Sequence, residues 1–534
     1  MEVIRESLVT RASLKSDLAD DMEYFRERIE EARHFLRDFR EQLVQYAEQS
    51  DSLDRSLEDH GYTEALRACE RMWGVTAEME ERLGVVVQGP SEHSEWFRDL
   101  LLRFRTFCAQ KASLVKLVSW MSPPYLQARD FHAFPPSLYG GMGKRYNYVR
   151  STNVWRDELA ERWLRLLGFD PSECGIVPTS SGMAAYSLIE NYLTSEILSP
   201  GAVVFVPRFT YPETNILQFR NKKMFTEVME EHRSSEVILR RIGELKPDVI
   251  MLETMQNGLG TEVLDVPRIL REIPMLGLGK SVHVVLDETL ALGCINPFRE
   301  RSPGVQVYYT FSGSKYLQLG LDLGTAGAII VPKSLEETLR QLSYMGDYSL
   351  YDGNAAVFPA FSRDRLEKRQ ARLRRNGAII AERLALSAEL KGLVDVFSPP
   401  AGLPTHGEAG VSLPLAGGLV TLDFLFAGSA RDALNMRPYY NYIASAIETA
   451  HTAGMRLAYC ESFGFPWTSL NVLGWCYESR MPPFIRISPG EECAEEAARI
   501  ADMLHNHLVQ FAEQYGKQDS LFDHTCVKPP KPSA

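Results

Sequence analysis

The sequence predicts an α/β protein with a mostly parallel sheet in a large domain, a smaller α+β domain after it, and a helical module in front. Three observations carry this. Residues 1–122 place apolar side chains at helical spacing among many charges. Residues 123–355 consist of short apolar runs, each ending in a turn signal and leading into a helical pattern. Residues 356–515 open on a long polar helix and continue in mixed strand and helix patterns. A chain of 534 residues also exceeds what one hydrophobic core usually serves, so several domains are expected.

Taken in order, the first helix is expected over 16–49, where Leu18, Met22, Phe25, Ile29, Phe35, Leu36, Phe39 and Leu43 recur mostly at three- and four-residue steps. Similar stripes predict helices over 63–83 and 92–120. After Ser122-Pro-Pro124 the pattern changes, and buried strands are expected at 203–207, 249–252, 282–286, 307–310 and 326–331. A polar helix at 363–386 begins the C-terminal domain, and a last helix is expected over 491–515. Residues 516–534 are polar and Pro-rich, the composition of a disordered tail.

Composition excludes several functions. A net charge of −12 argues against general nucleic-acid binding, which needs clustered cations to neutralise phosphates. The one basic run, Lys368-Arg-Gln-Ala-Arg-Leu-Arg-Arg375, has helical spacing and is expected to form a solvated helix face. The eight cysteines show no CxxC spacing, so free thiols and no metal site are expected. The first residues lack an apolar signal-peptide core, and no run of about 18 apolar residues occurs, so a soluble cytoplasmic protein without membrane partners is expected.

Three short segments carry chemistry. Lys315 follows the strand expected at 307–310, in a turn of Ser312, Gly313 and Ser314 small enough to bring amides and hydroxyls to a phosphate. A lysine that forms an imine must lose its proton, which a dry site favours. Asp287 stands at the carboxyl end of a parallel strand, the usual ligand side of such sheets, where an acid can keep a pyridine nitrogen protonated. Thr179-Ser-Ser-Gly-Met-Ala-Ala185 opens an apolar helix, and its free first-turn amides favour an anion beside Ser181, Gly182 and Met183. Alone, each has a plainer reading: a surface lysine, a capping acid, a capped helix.

In this order the three segments resemble the pyridoxal 5'-phosphate (PLP) enzymes of Cys/Met metabolism, the cystathionine gamma-synthase and methionine gamma-lyase family of fold type I. Further segments are similar. Tyr148-Val-Arg-Ser-Thr-Asn-Val-Trp155 resembles Tyr-x-Arg-x-x-Asn-Pro-Thr, Pro207-Arg-Phe-Thr-Tyr211 the segment with the ring-stacking Tyr, and Glu253-Thr-Met-Gln-Asn257 the run Glu-Thr-Pro-x-Asn. Asp287-Glu-Thr289 resembles Asp-Asn-Thr, Phe484-Ile-Arg-Ile-Ser-Pro-Gly490 resembles Ile-Arg-Leu-Ser-x-Gly, and Ser462-Phe-Gly464 resembles Ser-Leu-Gly.

The resemblance implies a seven-stranded sheet, PLP bound to Lys315 as a Schiff base, and Asp287 on the ring nitrogen. It also implies phosphate contacts from Ser181, Gly182, Met183, Ser312 and Ser314, with Thr289 among the cofactor residues, and Asn257 on the phenolic oxygen. Tyr211 would cover the ring, while Tyr148 and Arg150 would reach a neighbouring subunit's phosphate in a homodimer or tetramer. Arg486, with Ser462 and Asn153, would hold the amino-acid substrate. The implied reaction is elimination or replacement at the β or γ carbon, a lyase or transferase activity. It would pass through a vinylglycine-type intermediate for γ chemistry, with Lys315 as base and Tyr148 or Tyr211 as acid. The change from Pro-Thr to Val154-Trp155 and the N-terminal helices depart from the family pattern and point to a specialised substrate or pathway. Transamination or other α-carbon chemistry, and a non-catalytic scaffold whose helices bind a partner, are the alternatives.

Overall fold

The computed structural model describes residues 14–49, 55–120, 154–207, 225–229, 234–255, 258–260, 263–300, 303–398, 417–428, 435–473 and 483–517. Three long helices open the chain: α1 (Leu14–Gln49), α2 (Arg55–Leu83) and α3 (Pro90–Trp120). The stripe read from the sequence is their packing face. Phe25, Leu36, Phe39 and Leu43 of α1 are buried, and the Phe25 ring meets Trp96 of α3 edge-on at 5.9 Å.

Helix α4 (Val154–Leu167) leads into β1 (Cys174–Thr179), α5 (Gly182–Tyr192), β2 (Ala202–Val206), β3 (Phe225–Met229) and α6 (Ser235–Leu245). Then come β4 (Val249–Glu253), α7 (Val266–Glu272), β5 (Val282–Asp287), β6 (Val305–Ser312), β7 (Gly327–Pro332) and α8 (Lys333–Met345). The strands form one seven-stranded sheet in the order β1-β7-β6-β5-β4-β2-β3. Strands β6, β5, β4, β2 and β3 run parallel, and β7 is antiparallel to both its neighbours. The five strands expected from the sequence are present, while β1 and β3 went unread. Gly175 and Pro178 disguise β1, and β3 is an edge strand whose Thr226 is exposed, so neither is a plain apolar run.

The chain continues through α9 (Asp352–Val357) and α10 (Arg363–Ala385) to a second sheet made of β8 (Val394–Phe397), β9 (Val420–Phe424), β10 (Ala458–Tyr459), β11 (Ser469–Leu473) and β12 (Phe484–Ser488). Its order is β10-β11-β12-β9-β8, with α11 (Arg437–Thr452) and α12 (Ala494–Lys517) packed on it. One apolar cluster runs unbroken from Phe25 and Trp96 through Trp163 to Tyr309 and Phe311, so the first helices share a core with the layer that covers the large sheet. No helix among the described residues is long and apolar enough to cross a membrane, and the described cysteines are free thiols.

The basic run on α10 is not a solvated face. Arg365, Arg369 and Arg372 recur at steps of four and three, which puts them on one side of the helix, and all three are buried. Their counter-charges come from elsewhere in the chain. Arg372 Nη1 donates to both oxygens of Asp21 at 2.8 and 2.9 Å, and Arg369 Nε donates to Glu491 at 2.8 Å. Within the run Lys368 and Ala371 are exposed, and Arg374 and Arg375 are half-buried.

Two predictions follow from this packing. Removing one side of a buried pair leaves an uncompensated charge, so Arg372→Ala should destabilise the chain by about 3–5 kcal/mol, read from the urea midpoint. A change under about 1 kcal/mol would show that the pair is not desolvated in solution. Glu492 is buried where it accepts from Thr468 N at 2.5 Å and Thr468 Oγ1 at 3.1 Å, and burial pushes its carboxyl up to about 7. The folded chain therefore holds a proton that the unfolded chain releases near pH 4.3, roughly the ordinary glutamate value. The linked stability is complete at low pH and is lost as pH rises through about 7. Glu492→Gln should flatten that part of the stability profile.

Candidate active site

The carboxyl ends of β4, β5 and β6 bring Glu253, Asp287 and Ser312 to one edge of the large sheet. Glu253 and Asp287 are register partners on adjacent strands. Asp287 Oδ1 accepts from Thr289 N at 2.8 Å, and the Tyr186 hydroxyl donates to Oδ2 at 3.3 Å. Burial pushes the Asp287 carboxyl above its usual range, against the opposing pull of Thr289, Tyr186 and the Lys315 charge. The Thr289 hydroxyl in turn accepts from Ser312 N at 3.0 Å, which ties the turn after β5 to the turn that carries Lys315.

The N-terminus of α5 faces the same space. Ser181 is extended and its hydroxyl accepts from Ala184 N at 3.0 Å, so it caps the helix. The first-turn amides of Gly182 and Met183 have no intrahelical acceptor and carry the positive end of the helix dipole. A Cβ on Gly182 would lie 3.2 Å from Ser312 Cβ and fill the gap between the two turns. Gly313 serves packing instead. A Cβ there would sit 2.8 Å from the Trp163 ring, which stands edge-on to Phe311 at 5.6 Å. Ser314 is also committed, since its hydroxyl donates to Ala326 O at 3.2 Å and accepts from Ala326 N at 2.9 Å. It closes the turn onto β7, which leaves Ser312 as the hydroxyl beside Gly182.

A cavity of about 220 Å³ is lined by Ser181, Gly182, Met183, Asp287, Thr289, Ser312, Ser314 and Lys315, so eight residues singled out in the sequence meet at one place. Lys315 Nζ donates to Ser462 Oγ and lies 5.3 Å from the centre of the Phe463 ring. Arg486, in the middle of the small sheet, is fully buried and lies near the same ring. Its guanidinium lies 5.4 Å from the ring centre, and Nη2 donates to the carbonyls of Glu461 and Ser462 at 3.1 and 3.3 Å. Tyr148, Arg150, Asn153, Tyr211 and Asn257 lie outside the described residues.

Sequence reading assigned no role to three residues that line the cavity: Tyr186, Glu253 and Phe463. Tyr186 had a signal, since it stands four positions after Gly182 on one helix face and so shares the side that the phosphate turn faces. Phe463 had only its place in the Ser462-Phe-Gly464 segment, because its position against the turn of Lys315 depends on how the small sheet docks. The donor set suits a flat cofactor that carries an anion at one end and a basic nitrogen at the other. Helix amides and Ser312 stand at one end, a carboxylate at the other, and an amine lies between them and the buried guanidinium.

No family model matches the chain. A curated relative, the bifunctional enzyme flvA of Aspergillus flavus, is 26% identical over 404 residues, 75% of this chain and 47% of that protein. The chain thus matches about half the length of that relative. Solved structures with the same fold include a cystathionine gamma-synthase from Xanthomonas oryzae (21% identity, TM-score 0.53, 70% of this chain and 90% of that one). The yeast cystathionine gamma-lyase is similar (20% identity, TM-score 0.52, 69% and 88%), as is a cystathionine gamma-lyase from Micromonospora echinospora (20% identity, TM-score 0.51, 68% and 89%). The fold is therefore that of the cystathionine gamma-synthase and gamma-lyase structures, with a helical region at its N-terminus.

Gly313→Ala tests the packing under the lysine turn. Forcing a methyl against Trp163 should cost about 1–3 kcal/mol in stability, read by urea unfolding. An unchanged midpoint would mean that the ring has room to move.

Proposed function

We propose that this chain is a PLP-dependent enzyme that eliminates or replaces a group at the β or γ carbon of an amino acid. The observation that carries the reading is the meeting of Lys315, Asp287 and the α5 N-terminus at one cavity, with Arg486 buried near Phe463. The shared fold with cystathionine gamma-synthase and gamma-lyase structures supports it. When bound, PLP supplies an electron sink that stabilises negative charge on the carbon next to the substrate nitrogen.

The chain's own residues divide the remaining work. The amides of Gly182 and Met183 and the hydroxyl of Ser312 bind the phosphate, while Ser181 and Ser314 hold the two turns in place. Asp287 would hold the ring nitrogen. Burial disfavours its lone negative charge, so a cationic nitrogen beside it restores the ionised form, and Tyr186 and Thr289 keep the carboxylate aimed. Lys315 would hold the cofactor covalently, and its Nζ, when free, would take the proton from the α carbon. For γ chemistry it also moves a proton from the β carbon. Ser462 Oγ is the hydrogen-bond acceptor that keeps Nζ on the substrate side. Arg486 clamps the substrate carboxylate, which fixes the orientation of the bond to be broken.

Tyr211 is assigned the ring face, Asn257 the phenolic oxygen, Asn153 the substrate, and Tyr148 or Tyr211 the acid that assists the leaving group. Tyr148 and Arg150 acting across subunits would require at least a homodimer. The N-terminal helices and the Val154-Trp155 change support a substrate outside common sulfur metabolism.

The test is direct. Purified protein supplied with PLP should take up one equivalent per chain, and borohydride should fix it to Lys315, as read by peptide mass spectrometry. Lys315→Ala should lose both the fixed label and turnover by at least about 10³-fold. A panel of O-activated homoserines and serines should yield an oxo acid or a replacement product. Accumulated pyridoxamine phosphate without these products would instead identify a transaminase. Arg486→Lys should raise KM by roughly 10-fold or more, since an ammonium cannot make the two parallel bonds.

A further inference from the structure

The N-terminal helices reach the site through charges. Asp21 of α1 is held by Arg372 Nη1 at 2.8 and 2.9 Å and by His93 Nε2 of α3 at 2.9 Å, all in the interior. Arg372 Nη2 donates to Asp17 O at 3.1 Å, and Asp17 Oδ2 accepts from Ala494 N at 3.2 Å, just beyond Glu491. Glu491 accepts from Arg369 Nε at 2.8 Å and faces Arg365 Nη2 at 3.7 Å. Arg369 has a second duty. Its Nη2 donates to Gly464 O at 2.9 Å, and Gly464 directly follows Phe463.

The segment from Glu461 to Thr468 is thus held from two sides. On the site side, Ser462 accepts from Lys315, the Glu461 and Ser462 carbonyls accept from Arg486, and both cations lie within 5.4 Å of the Phe463 ring centre. On the far side, Arg369 grips Gly464, Glu491 N donates to Pro466 O at 2.8 Å, and Glu492 grips Thr468. Arg369 is 1% exposed and does not itself line the cavity; its direct hydrogen bond toward the site is the one to Gly464 O, next to Phe463.

We infer that Arg369 is a positioning residue for the substrate carboxylate, and that the N-terminal helices, through Asp21, Arg372 and Glu491, hold Arg369 in the place where it fixes the Phe463 turn against Arg486. This rests on the reading of Arg486 as the carboxylate clamp. On this account the helical region is part of the substrate site's support. The carboxylate end depends on it, while the phosphate end, built on α5 and β6, does not.

Two variants of the full chain test this. Arg369→Lys keeps a cation for Glu491 but cannot hold both Glu491 and Gly464 in the fork geometry of a guanidinium. Asp21→Asn acts from α1, far along the sequence from the turn. Each is loaded with PLP and titrated, by cofactor absorbance, with glycine and separately with methylamine, which lacks only the carboxylate. In both variants glycine should bind about tenfold more weakly, the loss expected for one charge-assisted hydrogen bond, while methylamine affinity and PLP content stay within about twofold of wild type.

Equal weakening of both probes, or of neither, in a variant that still melts cooperatively would overturn the inference. If Arg369→Lys does not fold, the Asp21→Asn result decides. Failure of the underlying reading looks different. Wild-type protein that takes up no PLP, or an Arg486→Lys variant that binds glycine normally, would remove the cofactor or the clamp itself.

Discussion

The mutual neutralisation of buried charge between α10 and the segments that meet it organises this molecule. Arg365, Arg369 and Arg372 present three cations, and Asp17, Asp21 and Glu491 answer with three anions, all under 9% exposed. Burying any one of these ions without its partner would be costly, because the effective desolvation penalty is several kcal/mol per ion. The opposing charges hold the Asp21 carboxyl below its ordinary value and push the Arg372 guanidinium up, although burial works against both. The cluster therefore specifies how the parts dock. Helix α1, helix α10 and the turn after β12 must arrive together, since any one of them missing strands a charge.

That constraint reaches the site because α10 spans both sheets. Its first half lies against the core shared by the N-terminal helices and the large sheet, through Leu366 and Leu373, and its second half carries Ile379, Ile380 and Leu384 into the core of the small one. The cavity takes its lining from both sheets: Asp287 and Ser312 come from the large one, and Phe463 comes from the connection between β10 and β11 of the small one, with Arg486 buried close to its ring. The distance between the Lys315 amine and the Arg486 guanidinium, both near the Phe463 ring, thus depends on how α10 is held. Chemistry that needs a carboxylate clamped while a proton is removed next to it depends on that distance.

Much of the fold was legible because the large sheet is parallel and covered on both faces. Strands such as Val249–Glu253 then read as unbroken apolar runs. Edge position hid β3, and Gly175 with Pro178 hid β1. The site was legible where function demands particular residue types in one short segment: the helix-opening Ser181-Gly182, the strand-ending Asp287 and the lysine turn. It was not legible where one segment does two jobs. Gly313 was read as room for a phosphate and is room for Trp163, and Ser314 was read as a ligand and closes a turn. Local sequence cannot separate these uses, because the deciding atom lies more than a hundred residues away for Trp163 and across the sheet for Ala326.

The sequence by itself determined the succession of helical, α/β and mixed regions, since periodicity is a local property of the chain. It also placed Lys315, Asp287 and the Gly182 turn at the carboxyl ends of strands and the start of a helix, because those positions follow from strand and helix boundaries alone. Only the tertiary structure decided what Arg369 and Arg372 are for. A run of arginines at helical spacing reads the same whether water or carboxylates await it; for Arg372 the answer came from Asp17 and Asp21, about 350 residues earlier, and for Arg369 from Glu491, 122 residues later. The same holds for Phe463, whose role exists only once two sheets have closed around it.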